Sequence, residues 1–300
     1  MGVIFRIFPM LLPTPMIYIL IFIQVLLSSG THLVAKAVVA DVEPVTLTFL
    51  RTWVSTAALG AIFLIREKRV KVRREDFGMM LWLSFIVIPV NQFLFLYGIK
   101  FTTAANAALL YAMTPVLVLI FSYVMMGERM SRRKVVGVLL AFCGVAVVVF
   151  EHGVSLSSDY TYGNLVMFVA VVAFSLYTIQ GKRMVVKYGA FHVASLTMIG
   201  GAIMFLPIGL YGLTNFNLST LTAAHWEGIC YLGLGTSVAS YFLWYYALGK
   251  IETTKVAVFA NAQPVVTSTL SFLLLHQSIT FNFVVGGIVT LAGVLITELG

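Results

Sequence analysis

Apolar stretches follow one another along the whole chain, and only short polar segments separate them. Each stretch runs for roughly 17–25 residues, the length that crosses a hydrocarbon core of about 30 Å as an α-helix. The pattern predicts an all-α integral membrane fold of ten transmembrane helices. The predicted spans are 15–38, 44–65, 77–98, 103–126, 135–150, 163–181, 190–211, 226–248, 256–275 and 281–298.

The composition supports a lipid environment. Hydrophobic residues make up 60% of the 300-residue chain and charged residues only 10%, whereas a soluble domain is about one-quarter charged. The formal net charge is +8, but the basic residues lie in short connections and not along an amphipathic face. We therefore expect a lipid bilayer as partner and no nucleic acid. Cys143 and Cys230 both lie in apolar stretches, which predicts buried free thiols.

Basic connections alternate along the chain with connections that are acidic, at Asp41, Glu43, Glu151 and Asp159, or uncharged, at Gly212–Ala224. Excess lysine and arginine is typical of cytoplasmic loops, and the basic connections all lie on one side if both termini are cytoplasmic. Lys36 and Lys100 are exceptions, because they fall on the opposite, acidic side. The predicted basic connections contain Arg66–Arg74, Arg129–Lys134, the group Lys182, Arg183 and Lys187, and the pair Lys250 and Lys255.

The second half of the chain repeats part of the first. Shifting the sequence by 149 residues lays 97–147 over 246–296 without a gap, and a mid-helix proline and two glycines coincide. Such coincidences indicate an internal repeat. The identical pairs are Tyr97/Tyr246, Ala108/Ala257, Pro115/Pro264, Val116/Val265, Ser122/Ser271, Val135/Val284, Val136/Val285, Gly137/Gly286, Gly144/Gly293, Val145/Val294 and, at a slightly different offset, Ser29/Ser175 and Lys36/Lys182.

Equivalent loops of the two halves carry different charge. Each half has five predicted helices, an odd number, so that equivalent loops must face opposite sides of the membrane. The basic Arg129–Lys134 loop corresponds to residues 276–282, which contain no lysine or arginine. Inverted charge with conserved packing residues predicts two inverted five-helix repeats, an architecture typical of alternating-access transporters. The predicted repeats are residues 15–150 and 163–298.

These features resemble the drug/metabolite transporter superfamily, specifically permeases with two EamA-type domains. The resemblance covers about residues 16–298 and implies a central cavity lined by both halves, cytoplasmic termini, a cytoplasmic (inner or plasma) membrane, and transport of small metabolites, often export. It rests on the Thr114-Pro115 and Gln263-Pro264 steps, Gly127-Glu128, Arg51, and the glycine pairs Gly137/Gly144 and Gly286/Gly293.

Polar residues form stripes on three predicted helices. Lipid cannot satisfy such groups, so the stripes should face the bundle interior. A single serine or threonine favours a helix-packing role, but three aligned stripes favour a shared cavity. The stripes are Gln24, Ser28, Thr31 and His32 on the first helix, Thr48, Arg51, Thr52 and Ser55 on the second, and Ser237, Ser240, Tyr241, Trp244 and Tyr245 on the eighth.

Arg51 lies about two turns inside the second predicted helix, where a charge costs roughly 2.5–3.5 kcal/mol or more on insertion scales. One interpretation is that it meets an anionic group, such as a carboxylate, of the substrate. The other is that it reaches outward to Asp41, Glu43 or Glu151 as a structural clamp.

Other polar and irregular positions extend the candidate site. Prolines near the middle of a membrane helix remove a backbone hydrogen bond and predict either a hinge or a packed kink. Asn91 and Gln92 point about 100° apart on a helix, so we expect that they do not both face one cavity. The predicted hinges are Pro115 and Pro264, and the predicted substrate-binding residues are His32, Arg51, Asn91, Tyr111, Tyr241, Trp244, Tyr245, Asn261 and Gln263.

The sequence contains no phosphate-binding glycine-rich loop and no HExxH or GxSxG motif, so we expect neither an enzyme nor a cofactor or metal. The predicted function is a permease, an exporter or facilitator, for a small amphipathic metabolite such as an amino acid, acting as a monomer or homodimer. No carboxylate lies deep in a span, which favours facilitated diffusion or exchange over proton coupling. The alternatives are a flippase for lipid-linked headgroups and a non-transporting membrane scaffold without a cavity.

Overall fold

The computed structural model describes residues 14–65, 70–102, 107, 110–127, 129, 131–150, 158–275 and 281–300. Within these ranges the chain is helical and no β-strand occurs. The helices of the first half are α1 (Thr14–Val38), α2 (Pro44–Ile65), α3 (Arg74–Phe101), α4 (Thr114–Met126) and α5 (Arg132–Phe150). Those of the second half are α6 (Ser158–Tyr188), α7 (Ala190–Thr214), α8 (223–248), α9 (253–275) and α10 (Phe281–Glu298).

Five of the described helices are long and apolar enough to cross a membrane. Large apolar side chains such as Phe22, Leu165 and Ile203 lie exposed on their outer faces, as expected where lipid surrounds the bundle. A shorter apolar stretch lies in each of α4 and α10. The five long spans are Met16–Val38, Pro44–Ile65, Arg74–Phe101, Thr161–Tyr188 and Ala190–Thr214.

The connection between α6 and α7 corrects one sequence prediction. Lys182, Arg183 and Lys187 were expected in a loop, but α6 continues to Tyr188 and contains all three. The turn to α7 needs only Gly189, whose φ of 82° lies in the left-handed region that glycine adopts without strain. A one-residue turn therefore leaves the basic residues on helical backbone beyond the predicted span.

```
```

The prediction that both cysteines are buried is wrong. Cys143 and Cys230 are free but exposed on the protein surface, not buried. In a membrane bundle an apolar stretch has a lipid-facing side as well as an interior side, so an apolar neighbourhood in sequence does not imply burial within the protein.

Four of the described helices depart from regular α-helical geometry. α4 is π-helical over its last residues, Ser122–Met126. α3 is π-helical over Ile86–Gln92, a stretch that contains Pro89, and α8 is π-helical over Tyr231–Ser240. α9 contains a 3₁₀ turn at Phe259–Asn261. π-helical turns of this kind are frequent at functional sites because they re-aim side chains.

Both predicted hinge prolines follow an interruption of their helix. Pro115 is the second residue of the helix that begins at Thr114, and a turn precedes it. Pro264 is the third residue of the α-helical segment that follows the 3₁₀ turn of α9. A proline has no N–H to continue the preceding helix, which explains why the two repeat-equivalent positions are interrupted in the same way.

The helices pack in a recurrent arrangement. α2 packs against α7, α4 against α9, and α5 against α10. α3 packs against α6 and α7, while α8 packs against α1 and α2; α4 also contacts α6, and α9 contacts α1. If α1 is exchanged with α6, α2 with α7, and so on to α5 with α10, the same set of packed pairs results.

The α5–α10 contact depends on the paired glycines. An added β-carbon on Gly144 would lie 2.6 Å from the carbonyl oxygen of Gly286, and one on Gly293 would lie 2.6 Å from that of Gly137. The two helices run antiparallel, because the glycine nearer the start of α5 meets the one nearer the end of α10. Glycine at these positions therefore allows the two helix backbones to approach closely.

We expect Gly293→Ala to lower the thermal unfolding midpoint of the purified protein. The new methyl group would collide with the backbone of α5, and overpacking of this kind costs about 1–3 kcal/mol. Gly60→Ala is the matched control, since an added β-carbon there meets no atom within 4 Å. An equal midpoint for the two variants would contradict the packing account.

Candidate functional site

Helices from both halves line a cavity of about 60 Å³ between them. Its polar lining residues are Gln24, Ser28, Thr31, His32, Arg51, Asn91, Gln92, Thr236, Ser240 and Gln263. Its aromatic lining residues are Phe95, Tyr111, Phe174, Tyr241 and Trp244. Of the nine substrate-binding residues predicted from sequence, seven line this cavity, and Tyr245 and Asn261 do not.

Arg51 is the one charged side chain among the described lining residues, and it is only 1% exposed. Its Nη2 donates to the carbonyl oxygen of Leu232 at 3.2 Å and to the hydroxyl of Ser237 at 3.0 Å. Its Nε has no hydrogen-bond partner within the described part of the chain. The guanidinium is thus bound to α8 and keeps one donor unsatisfied.

The outward clamp does not form with the two acidic residues that the structure describes. Asp41 pairs with His225 at 3.2 Å, and Glu43 pairs with Lys100 at 2.8 Å. Arg51 instead turns inward to α8, because its position on the buried face of α2 brings it beside the π-helical turns. Clamping by Asp41 or Glu43 is therefore wrong, and Glu151 lies outside the described residues.

Asn91 joins the two halves of the chain through three hydrogen bonds. Its amide nitrogen donates to the Tyr111 hydroxyl at 3.0 Å and to the Ala170 carbonyl oxygen at 2.9 Å. Its amide oxygen accepts from the Tyr241 hydroxyl at 2.8 Å. Because the amide is fully occupied, it fixes the positions of two cavity tyrosines, one from each half.

The position of Gln92 contradicts the expectation that Asn91 and Gln92 do not both face one cavity. Both Asn91 and Gln92 line it, since the π-helical stretch that ends at Gln92 widens the turn and brings successive side chains closer in direction. The Gln92 amide oxygen accepts from Ser237 at 3.4 Å, and its nitrogen lies 3.5 Å from the Met198 sulfur. Ser237 therefore links Gln92 to Arg51.

His32 lies among aromatic rings. Its ring contacts Phe95 and Tyr111 edge-on, with centroid separations of 5.4 and 5.5 Å. The side chain is buried, and Nδ1 has no partner among the described residues. His32 thus presents an unsatisfied ring nitrogen at a site whose surroundings are mostly apolar.

One aromatic wall of the cavity comes from α6 and α8. Phe174 contacts Trp244 with a centroid separation of 5.4 Å and Tyr241 with one of 6.1 Å. The indole N–H of Trp244 donates to Thr178 at 3.1 Å, and the residue lines the cavity beside Phe174. Aromatic faces of this kind accommodate apolar or cationic groups.

Two predicted site residues lie behind the lining. Tyr245 stacks on Tyr177 at 4.7 Å and donates its hydroxyl to the Tyr177 carbonyl oxygen at 3.3 Å. Asn261 is buried in the 3₁₀ turn of α9, and neither of its side-chain polar atoms has a partner in the described ranges.

The seam between α1 and α8 was only partly predicted. The sequence placed Gln24, Ser28, Thr31 and Ser240 on stripes facing a shared cavity but did not include them among the substrate-binding residues, and it did not select Thr236. Gln24 donates to Ser28 at 2.8 Å and to Ser240 at 3.2 Å, and Thr31 and Thr236 share a 2.8 Å hydrogen bond. The spacing of four residues between Thr236 and Ser240 was an available signal. Gln92 was recognised from sequence as a polar position, whereas Phe95 and Phe174 have only tertiary contacts to mark them.

Comparisons with known proteins agree with this arrangement. The chain is 29% identical over 290 residues to an uncharacterized transporter from Archaeoglobus fulgidus, covering 93% of this chain and 96% of that protein. It is 27% identical over 248 residues to the uncharacterized transporter YetK of Bacillus subtilis, covering 81% and 74%. It is 26% identical over 224 residues to a probable terminal-alkyne amino-acid exporter of Streptantibioticus cattleyicolor, covering 75% and 74%.

A protein of known crystal structure has the same fold, with a TM-score of 0.79 and 20% sequence identity over 95% of this chain and 97% of that one. Two segments of the chain, residues 15–150 and 161–299, match the EamA-like transporter family. These segments include nearly all the described helices and the whole cavity lining. The chain therefore belongs to the EamA-like transporter family, as its sequence resemblance predicted, and is a multi-pass membrane transporter.

Proposed function

We propose that the protein moves a small amphipathic metabolite bearing a carboxylate, such as an amino acid, by alternating access around the central cavity. In this proposal ten transmembrane helices form two inverted five-helix repeats, residues 15–150 and 163–298. Both termini are cytoplasmic, and the protein acts in the cytoplasmic membrane as an exporter or facilitator.

The helix pairing supports the inverted repeat. The largest helix–helix contacts form a set that is unchanged when each helix is exchanged with its counterpart in the other half, as expected for an approximate twofold axis in the membrane plane. The equivalent serines behave alike as well: Ser29 donates to the Val25 carbonyl oxygen and Ser175 to that of Val171, and both are fully buried.

Arg51 carries the substrate assignment. No acidic side chain is found among the described residues that line the cavity, so the buried guanidinium has no counter-ion there. Its unsatisfied Nε is a donor that a carboxylate can accept from, and charge-assisted hydrogen bonds of this kind are stronger than neutral ones. A substrate carboxylate would therefore complete the site.

The remaining lining residues suit the rest of an amphipathic molecule. The rings of Tyr111, Tyr241 and Trp244 supply apolar surface with polar edges, and His32 and Gln263 add hydrogen-bonding groups. The amino-acid exporter among the relatives supports this class of substrate. Asn91 lines the cavity and would position Tyr111 and Tyr241 through its hydrogen bonds. Tyr245 and Asn261 would act from behind the lining.

The size of the cavity requires motion during transport. A volume of about 60 Å³ holds a few water molecules, since one water needs roughly 10–15 Å³. A metabolite therefore fits only after surrounding helices separate. Pro115 and Pro264, which follow interruptions in α4 and α9, are the proposed hinges of that movement.

The lining also bears on coupling and on the alternatives. A proton relay normally uses a membrane-embedded carboxylate, and the described lining contains none, which favours facilitated diffusion or exchange.

A scaffold would pack its polar stripes together without a cavity, so the presence of the cavity disfavours that role. A headgroup flippase would require the cavity to open sideways into the bilayer.

We expect liposomes that contain the purified protein to take up labelled amino acids or related carboxylates in a saturable manner. Arg51→Gln should lower kcat/KM by about 10–100-fold, because the substrate loses a charge-assisted hydrogen bond. The matched control is Arg73→Gln, which removes an exposed arginine paired only with Glu75 in the described structure and should transport normally.

The same assay separates the mechanisms. Uptake that is independent of an imposed proton gradient supports facilitated movement or exchange, while uptake that requires the gradient contradicts it. If Arg51→Gln transports normally but has a lower unfolding midpoint, Arg51 is a structural residue and the substrate assignment fails.

A further inference from the structure

The side-chain amide of Gln24 is only half satisfied. Gln24 lies on α1, is 3% exposed and lines the cavity. Its amide nitrogen donates to the hydroxyls of Ser28 at 2.8 Å and Ser240 at 3.2 Å, whereas its amide oxygen has no hydrogen-bond partner among the described residues. A buried acceptor without a partner is unfavourable, so a ligand that brings a donor to this oxygen gains binding free energy.

The Gln24 oxygen and the Arg51 guanidinium lie near each other along the side of the cavity that α8 forms. Gln24 bonds to Ser240 and Arg51 bonds to Ser237 of that helix, and three residues span about 4.5 Å at the α-helical rise. The site therefore offers one unsatisfied acceptor and one unsatisfied charged donor, the Arg51 Nε, roughly a helical turn apart. A ligand that meets both must carry an anionic group and a donor within a few bonds of each other.

The rest of the lining restricts the charge of that ligand. The described lining contains no acidic side chain, and the Arg51 guanidinium repels a lone amine. An ammonium is therefore accommodated only when its own carboxylate accompanies it. The rings of Phe174, Tyr241 and Trp244 line the same cavity, and a cation within about 6 Å of such a ring face is attracted to it. A zwitterion meets all of these conditions.

We propose that the substrate is an α-amino acid bound as its zwitterion, an inference that rests on the transport function and on the role of Arg51 proposed above. The Arg51 guanidinium binds the carboxylate, and the Gln24 amide oxygen accepts a hydrogen bond from the ammonium. Gln24 thereby determines specificity. The 2-oxo acid of the same carbon skeleton carries an acceptor in place of the ammonium, so it would leave the Gln24 oxygen facing another acceptor.

Matched acids test the role of Gln24. The dissociation constants of L-leucine and L-phenylalanine are compared with those of the corresponding 2-hydroxy and 2-oxo acids, measured by ligand-induced stabilisation of the purified protein. We expect each amino acid to bind about tenfold more tightly than its 2-oxo acid, because the 2-oxo acid cannot donate to the buried oxygen. The 2-hydroxy acid, a neutral donor, should lie between them.

Two substitutions of Gln24 should change this preference in opposite directions. Gln24→Leu removes the acceptor and should bring the dissociation constants of the amino acid and the 2-oxo acid together. Gln24→Glu should increase the preference for the amino acid over the 2-hydroxy acid, because a carboxylate binds an ammonium more strongly than a neutral hydroxyl. Gln180→Leu is the matched control and should keep the wild-type preference, since the Gln180 amide oxygen accepts from the Trp82 indole outside the cavity lining.

Equal dissociation constants for the amino acid and the 2-oxo acid in the wild type would overturn the inference. An unchanged preference in folded Gln24→Leu or Gln24→Glu protein would overturn it as well. In each of these cases the carboxylates still bind, so the transport function proposed above stands. Failure of that function gives a different result, because no acid of either series then stabilises the protein and both proposals fall.

Discussion

A guanidinium buried where lipid cannot solvate it is the constraint on which the centre of this molecule depends. Arg51 can be accommodated only if its face of α2 turns inward and polar groups meet it there. The π-helical turns of α8 supply the Leu232 carbonyl oxygen and the Ser237 hydroxyl. Since these partners are neutral, the positive charge stays uncompensated within the described lining, and we therefore propose that the cavity binds an anionic group.

Two kinds of interhelical contact in this structure differ in how readily they can be broken. Where α5 meets α10, glycines bring backbones into contact, and the packing leaves little freedom to move. Around the cavity, contacts are hydrogen bonds between small polar side chains, such as Thr31 with Thr236 and Ser28 with Ser240. Bonds of this kind can be broken and re-formed at modest cost, so we expect the cavity seams to move while the glycine contact stays intact.

Much of this fold is predictable from sequence because lipid imposes simple rules. α2 was predicted to its observed bounds, 44–65, since a proline begins it and a basic segment follows it. The inward stripes of α1, α2 and α8 followed from helical periodicity, and they contain His32, Arg51 and Trp244, all in the cavity lining. Polar groups must avoid lipid wherever they occur, so the stripes point to the interior without knowledge of the tertiary structure.

Where the structure differs from the sequence predictions, the causes are equally specific. Periodicity assumes a constant turn, and the π-helical stretch of α3 brought Gln92 to the cavity beside Asn91. The same reasoning could not separate Trp244 from Tyr245, because one lines the cavity and the other stacks on Tyr177 through contacts formed only in the folded bundle. Lys36 appeared as an exception to the charge pattern because its partners are backbone carbonyl groups, which no side-chain pattern reveals.

The central claim is that the Arg51 cavity binds a carboxylate, and ligand-induced stabilisation of the purified protein tests it most directly. A ligand that binds only the folded state raises the unfolding midpoint. The measurement compares amino acids and related carboxylates with their uncharged amides, in the wild type and in Arg51→Gln. The account predicts that a carboxylate raises the midpoint of the wild type alone and that its amide does not. Equal stabilisation by acid and amide, or stabilisation that persists in Arg51→Gln, would contradict it.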